Sequence, residues 1–166
     1  MQVIDNFLPE YQFRQISNMI LSNEFSWYFF DGVIEPNDGQ CQFTHSFFDM
    51  IYGGRLSDHY PLFDIVQQKL RVSRLDRIKS NLNPKTVFHR KGGYHTDQRH
   101  PSEGLLHQKT AVFYINTNNG WTEFKKGGKV KSVENRIVIF DSNLEHTGVT
   151  CTDEKRRVIV NFNYDV

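Results

Sequence analysis

Apolar residues recur at helical spacing twice in this chain. Asp5-Asn6 precedes Leu8-Pro9, and Phe13, Ile16 and Ile20 then fall on one face, which predicts a helix from Leu8 to Leu21 with proline in its first turn. Leu62, Ile65, Val66 and Leu70 share one side of a second helix, from Pro61 to Leu70. Between them, the aromatic run Phe25 to Phe30 suits an extended segment, and Phe43 to Phe47 alternates apolar and polar as a half-buried strand does. Asp31 to Gln40, with glycine, proline and aspartate, reads as a loop. Beyond Arg74 the helical period disappears. Short strands are expected at Arg77 to Leu82, Thr86 to Arg90, Lys109 to Asn116, Thr122 to Lys125, Lys129 to Val133, Arg136 to Asp141 and Arg156 to Asp165, broken by glycine, asparagine and proline. Helices followed by many short strands predict a mainly β (α+β) chain, a sandwich or jelly roll with its helices packed outside one sheet. No internal repeat or second domain is visible, so residues 1–166 are expected to form one domain, with helical support over 1–75 and a β core over 76–166.

The last strand departs from simple amphipathicity. Val158, Val160, Phe162 and Tyr164 form one apolar face, while Arg157, Ile159, Asn161 and Asn163 form the other. A sheet covered by helices on one side and by a second sheet on the other buries both faces, so this polar row predicts a cavity lining. Arg157 suits a two-pronged contact with a carboxylate. Arg156 is the runner-up, and the pair also suits an ordinary charged edge strand.

Composition narrows the class. Hydrophobic content is 38% and aromatic content 14%, which is that of a globular chain with a real core. The formal net charge of +1, with acids and bases interspersed, argues against a nucleic-acid groove or a membrane-binding face. Cys41 and Cys151 stand far apart with no Cys-x-x-Cys pair, which fits a reducing compartment and no zinc ribbon. The N-terminus shows neither the basic region nor the apolar run of a signal peptide or anchor. The expected location is cytoplasmic.

The chemistry centres on His95-Thr96-Asp97. On an extended segment His95 and Asp97 point to the same side. Two histidines and one carboxylate on one side of a divalent ion leave its other side open, the arrangement of non-haem Fe(II) oxygenases. By itself His-x-Asp also suits a solvated turn after Gly92-Gly93. The strand Arg136 to Asp141 delivers His146 to a strand end far downstream, where it suits an exposed loop equally well.

In their order along the chain these parts resemble the 2-oxoglutarate- and Fe(II)-dependent oxygenases, most closely the prolyl-4-hydroxylase-like branch. His95-Thr96-Asp97 matches the first two metal ligands. Thr110 to Asn116 is similar to the strand ending in Tyr-Leu-Asn, and Gly120-Trp121-Thr122-Glu123-Phe124 is similar to the Gly-x-Thr-x-Phe segment that follows it. His146 matches the distal ligand, and an arginine ten or eleven residues later matches the co-substrate anchor. The resemblance covers roughly the last ninety residues.

It implies a double-stranded β-helix of the cupin-like jelly-roll type, with His95, Asp97 and His146 as metal ligands and as the catalytic centre. It implies Fe(II), 2-oxoglutarate and O2 as cofactor and co-substrates, with ascorbate as an additional candidate. Arg157 would hold the far carboxylate of 2-oxoglutarate, with Tyr114 and Thr110 beside it. Tyr114 suits an ordinary core tyrosine equally well. Asn81 is a further candidate for reaching the co-substrate. The implied reaction is hydroxylation of an unidentified substrate, a prolyl or other peptidyl side chain or a small molecule, with release of succinate and CO2. His89, His100 and His107 are read as non-ligands, and Asp31 to Gln40 and Gln98 to Gln108 as lid and specificity loops. The alternative is a cupin-type metal-binding jelly-roll protein or isomerase that uses no 2-oxoglutarate. Oligomeric state is not readable.

Overall fold

The computed structural model describes residues 1–33, 39–97 and 108–166. In chain order they form β1 (Gln2–Ile4), α1 (Glu10–Leu21), β2 (Tyr28–Phe30), β3 (Gln42–Asp49), β4 (Gly54–Arg55), α2 (Asp64–Leu70), β5 (Arg74–Pro84), β6 (Gln108–Tyr114), β7 (Trp121–Phe124), β8 (Lys129–Lys131), β9 (Ile137–Asp141), β10 (His146–Val149) and β11 (Arg156–Asp165). Pro9 caps α1, and its carbonyl accepts the first helical bond from the Phe13 N–H at 3.0 Å. Phe13, Ile16 and Ile20 are buried along one face, as their spacing predicts. The second helix starts later than expected. Pro61 lies in a 3-10 turn, Tyr60–Phe63, and the α-helical bonds run only from Asp64 to Leu70.

The larger sheet has the order β1-β9-β6-β11-β5-β3-β2, with β4 paired to β3. The smaller has the order β10-β7-β8. The stretch Lys91 to His95 joins the smaller sheet at its β10 edge through bridges Lys91–Val149 and His95–His146. From β5 onward the chain therefore visits the large sheet, the small, the large (β6), the small twice (β7, β8), the large (β9), the small (β10) and the large (β11). This winding is a double-stranded β-helix.

Strand β11 is central, paired antiparallel to β5 on one side and β6 on the other. Val158, Val160, Phe162 and Tyr164 pack into the core with Phe13, Ile16, Ile20, Phe63 and Val66 of the helical layer. A second cluster, including Val112, Tyr114, Phe124, Val138, Phe140 and Ile159, fills the space between the sheets. Arg157, Ile159 and Asn161 line a cavity there, so the polar row of β11 faces inward.

Several elements differ from expectation. Thr86 to Arg90 is not a strand. Val87 and Phe88 are 83% and 80% exposed, and the segment is tied at its ends by bonds to Thr150 and Cys151, such as Thr86 N–H to the Cys151 carbonyl at 3.1 Å. Of the aromatic run Phe25 to Phe30, only Tyr28–Phe30 is strand. Strands β1, β4 and β10 have two to four residues each, too few to show a period of their own. They exist because β9, β3 and β7 offer open edges. Among the described residues no helix is long and apolar enough to cross a membrane.

The entry into α1 is fastened by Asn135, which turns the chain before β9 in a left-handed conformation, φ 57°. Its amide accepts from the Leu8 N–H at 2.9 Å and donates to the Leu8 carbonyl at 2.8 Å. Asn135→Gly keeps the turn and orphans both buried groups. It should lower unfolding free energy by roughly 2–4 kcal/mol, read from urea denaturation.

His45 on β3 is packed, with Nδ1 against the Ser26 carbonyl (2.8 Å) and Nε2 against the Ser57 hydroxyl (2.9 Å). A carbonyl only accepts, so Nδ1 holds the proton and Nε2 receives Ser57's. Burial pushes its pKa below the ordinary 6.5 despite the Ser26 bond. The unfolded chain then binds the proton more readily, so His45 contributes stability above pH 6.5 that is lost as pH falls toward its folded pKa. Denaturant midpoints should fall between pH 7.5 and 5.5, and His45→Gln should flatten part of that slope.

Candidate functional site

His95 and His146 come from distant parts of the chain and are fixed to one another by their backbones. Each N–H donates to the other's carbonyl at 3.0 Å. The two rings lie 4.6 Å apart, and Phe140 supports His146 edge-on at 4.7 Å. The Asp97 N–H donates to the Ser142 carbonyl at 2.9 Å, which brings its carboxylate under the rings. Ligating atoms of His95, Asp97 and His146 all lie within 4.8 Å of one another.

The surroundings leave these atoms available. His146 Nδ1 lies 3.0 Å from the Leu144 carbonyl, and His95 Nδ1 lies 3.4 Å from that of Gly93. Both contacts place the proton on Nδ1 and aim the Nε2 lone pair at Asp97, 3.6 Å away for His146 and 3.8 Å for His95. Burial pushes His146 below its ordinary pKa, outweighing the nearby carboxylate, so the ring is neutral, as a metal ligand must be. Burial pushes Asp97 up, but its polar surroundings, the Arg77 guanidinium foremost, outweigh it and hold the group below the usual carboxylate value. Arg77 Nη2 stands 3.7 Å from Asp97 Oδ1. Arg77 Nε donates to the Asn163 amide (2.9 Å), and Asn163 donates to Thr110 (3.1 Å), whose hydroxyl meets Asp97. This ring steadies one side of the carboxylate. Its Oδ2 is buried with no hydrogen-bond partner among the described residues. Two imidazole nitrogens and an orphaned carboxylate oxygen form a donor set that fits a divalent transition metal.

A cavity of about 60 Å³ runs from His95 and His146 to Arg157, walled by Thr122, Gly148, Asn81 and Asn161. Arg157 is 1% exposed. Its Nε donates to Ser132 (3.0 Å) and its Nη2 to Thr122 (3.1 Å), and its guanidinium lies 5.7 Å from the Tyr114 ring centre. The Tyr114 hydroxyl donates to Thr122 at 2.8 Å. These partners are neutral, and no carboxylate among the described residues pairs with Arg157. Burial pulls its pKa below the ordinary arginine value. Gly120 makes room for it, since a Cβ there would stand 2.8 Å from Arg157 Cδ and 2.7 Å from the Val149 carbonyl. Arg156 faces the other way, its Nη2 donating to the Leu21 carbonyl at the end of α1 (2.6 Å).

The expected site residues thus fall in two groups. His95 and His146, with Asp97 beside them, stand at one end of the cavity and Arg157 at the other; Tyr114 stands by Arg157 but off the cavity wall, its hydroxyl given to Thr122. Thr110 stands with Asp97, not with Arg157. Asn81 reaches the cavity wall with its amide oxygen unpartnered, as does Asn161. His89 packs against Trp121, ring centres 4.7 Å apart and tilted by 60°, and is not among the clustered ligands. His100, His107 and nearly all of Gln98 to Gln108 lie outside the described residues, as does 34–38 of the other loop. Thr122, Ser132 and Arg77 were not singled out from the sequence as site residues, and Asn163, expected in the cavity-lining row, instead links Arg77 to Thr110. Their mark was alternation, which turns Thr122 with Phe124, and Ser132 with Val130, toward the interior.

No family's sequence model matches the chain, and no curated protein does. Solved structures do match. A prolyl hydroxylase from Trichoplax adhaerens, in complex with a hypoxia inducible factor oxygen degradation domain peptide, aligns with TM-score 0.67 and 13% identity over 99% of this chain and 83% of that one. The collagen prolyl hydroxylase of Paramecium Bursaria Chlorella virus-1, as its 2-oxoglutarate complex, aligns with TM-score 0.64 and 15% identity over 99% and 96%. HygX from Streptomyces hygroscopicus, with nickel, 2-oxoglutarate and hygromycin B bound, aligns with TM-score 0.60 and 11% identity over 98% and 81%. The shared property is the fold, the double-stranded β-helix of prolyl hydroxylases and other 2-oxoglutarate-dependent oxygenases.

Asp97→Ala, His95→Ala and His146→Ala should each abolish binding in an anaerobic Fe(II) titration by calorimetry, whereas His89→Ala should bind as the parent does. Undiminished binding by Asp97→Ala would remove the carboxylate from the ligand set.

Proposed function

We propose that this protein is an Fe(II)- and 2-oxoglutarate-dependent oxygenase that hydroxylates its substrate with release of succinate and CO2. One observation carries the reading: a buried guanidinium without an acidic partner among the described residues shares a narrow cavity with an open His-Asp-His donor set. A buried cation needs a compensating charge, and its desolvation is offset when an anion docks against it. The donor set needs a ligand that completes a metal's coordination from the open side. A keto acid with a second carboxylate answers both needs at once.

Each residue has a part in this scheme. His95, Asp97 and His146 hold the metal, with the Leu144 and Gly93 carbonyls orienting the rings and Arg77, Asn163 and Thr110 steadying the carboxylate. When bound there, ferrous iron supplies the oxidative chemistry that couples decarboxylation of the keto acid to C–H hydroxylation. Arg157 grips the far carboxylate, prepositioned by Ser132 and Thr122. The Thr122 hydroxyl accepts from both Tyr114 and Arg157 and so has its own proton to give to the same anion. Asn81 and Asn161 offer amide N–H donors after a half-turn of the side chain. The surrounding Val112, Ile159 and Tyr114 keep water away, which strengthens every polar contact inside.

The substrate, a peptide segment or a small molecule, enters by a groove of about 550 Å³ that shares Val33 and Asn83 with the cavity. Phe29 and Pro84 give this groove apolar walls, and Lys85 and Arg90 stand on it.

The test is anaerobic 2-oxoglutarate binding at saturating Fe(II), followed by the visible iron-to-keto-acid charge-transfer absorption. Removing one partner of a buried charge pair costs about 2–5 kcal/mol, so Arg157→Ala should weaken binding by roughly 30-fold to several thousand-fold. Iron affinity should hardly change. Arg157→Lys should recover only part of the loss, because an ammonium lacks the planar fork. Arg156→Ala should have little effect. If Arg157→Ala binds 2-oxoglutarate as well as the parent, the co-substrate assignment fails and a cupin-type metal protein becomes the better description.

A further inference from the structure

Gly148 is a strand residue with no evident structural reason to be glycine. It lies in β10, two residues after His146 and opposite Thr122 of β7. Its φ is not positive, so its backbone does not require the residue. Packing does not require it either. A Cβ built there would meet one atom, Arg157 Nη1, at 3.4 Å, an ordinary van der Waals distance. Gly120, across the same guanidinium, is the opposite case, where a Cβ would collide with backbone and side chain at 2.7–2.8 Å. Glycine within a strand weakens it, and it often marks a place where a ligand approaches closely.

The ligand contact has a definite location. Arg157 commits Nε to Ser132 and Nη2 to Thr122, and Nη1 is the nitrogen that faces Gly148. His146 and Gly148 point to the same side of β10, and both line the cavity. One short strand thus carries a metal ligand and, one pleat further on, an empty position over the cation.

We infer that Gly148 is a specificity-determining residue that keeps Arg157 Nη1 open, so that the second carboxylate of a dicarboxylic keto acid seats over its Cα. The inference rests on the proposed use of 2-oxoglutarate and assigns a residue to the recognition of its far end. A methyl group at 148 fits the empty protein but occupies the space the carboxylate needs. Affinity and stability should therefore move in opposite directions. Gly148→Ala should weaken anaerobic 2-oxoglutarate binding by about tenfold or more, the effect of overpacking a filled site. Its melting temperature without ligand should stay level or rise, because alanine is less flexible than glycine when unfolded. Gly148→Val should weaken 2-oxoglutarate binding further.

The experiment measures Fe(II), 2-oxoglutarate and oxalate binding by calorimetry for the parent, Gly148→Ala and Gly148→Val, with melting curves of each. Oxalate can chelate the metal but is too short to reach Arg157 as well, so its affinity should be unchanged, as should that of Fe(II). If the parent itself binds no 2-oxoglutarate, the functional proposal fails. If the parent binds it and Gly148→Ala binds within twofold, Gly148 has no part in selection. A melting temperature that drops in Gly148→Ala, or oxalate and Fe(II) affinities that fall in parallel, would show the glycine to be structural and overturn the inference.

Discussion

Strand β11 lies between β5 and β6 with both faces covered, so its pleat assigns each side chain either to the core under the helices or to the space between the sheets. That constraint orders the site. With Val158, Val160 and Phe162 sealed against the helical layer, Arg157, Ile159 and Asn161 have only the cavity to face. A slip of one residue would drive a guanidinium into the helical core and turn Val158, Val160 and Phe162 toward the cavity. The cost of such a slip is far above any gain from alternative hydrogen bonds. The apolar face therefore secures the position of the polar one.

The site also separates two charge problems and solves them differently. Asp97 is buried with compensation at hand, from Arg77 and from two imidazoles that stand ready to share a cation with it. Arg157 is buried among hydroxyls and an aromatic ring, which orient the guanidinium without neutralising it. The first arrangement has a counter-charge beside it in Arg77. The second has no carboxylate partner among the described residues, and the proposed anion would supply one. Folding supplies the hydroxyl partners that make the wait tolerable.

What could be read from the sequence follows from the range of the interactions involved. The apolar periods of α1 and β11, and the inward turn of Arg157, depend on alternation along a single segment, which a sequence displays directly. So does the placement of His95 and Asp97 on one side of an extended stretch. Strands β1 and β10 are created by partners, since a run such as His146-Thr147-Gly148-Val149 has no period of its own and becomes a strand only against β7. Thr86 to Arg90 failed for the converse reason. Its pattern resembles a strand, but no edge is there to receive it, and Val87 and Phe88 are left in solvent. Thr110 shows the finer limit. The resemblance set it beside Arg157, but only the fold decides which end of the cavity it stands at, and there it bonds to Asn163 across the sheet.

The mutual backbone bonds of His95 and His146 have a thermodynamic corollary. They close a long stretch of chain through backbone groups, so part of the loop entropy of bringing the two rings together is met by bonds the chain makes with itself. An ion that binds only the assembled set acts on the folding equilibrium by mass action. It adds nothing when scarce and, at about a hundred times its dissociation constant, adds about 2.7 kcal/mol. Because the paired residues belong to the small sheet and to the end of the stretch beginning at Lys91, that gain falls on the thinnest layer of the fold. If the set holds an ion as proposed, its availability would tune local opening at the mouth of the cavity, away from the packing of the β5–β11–β6 centre.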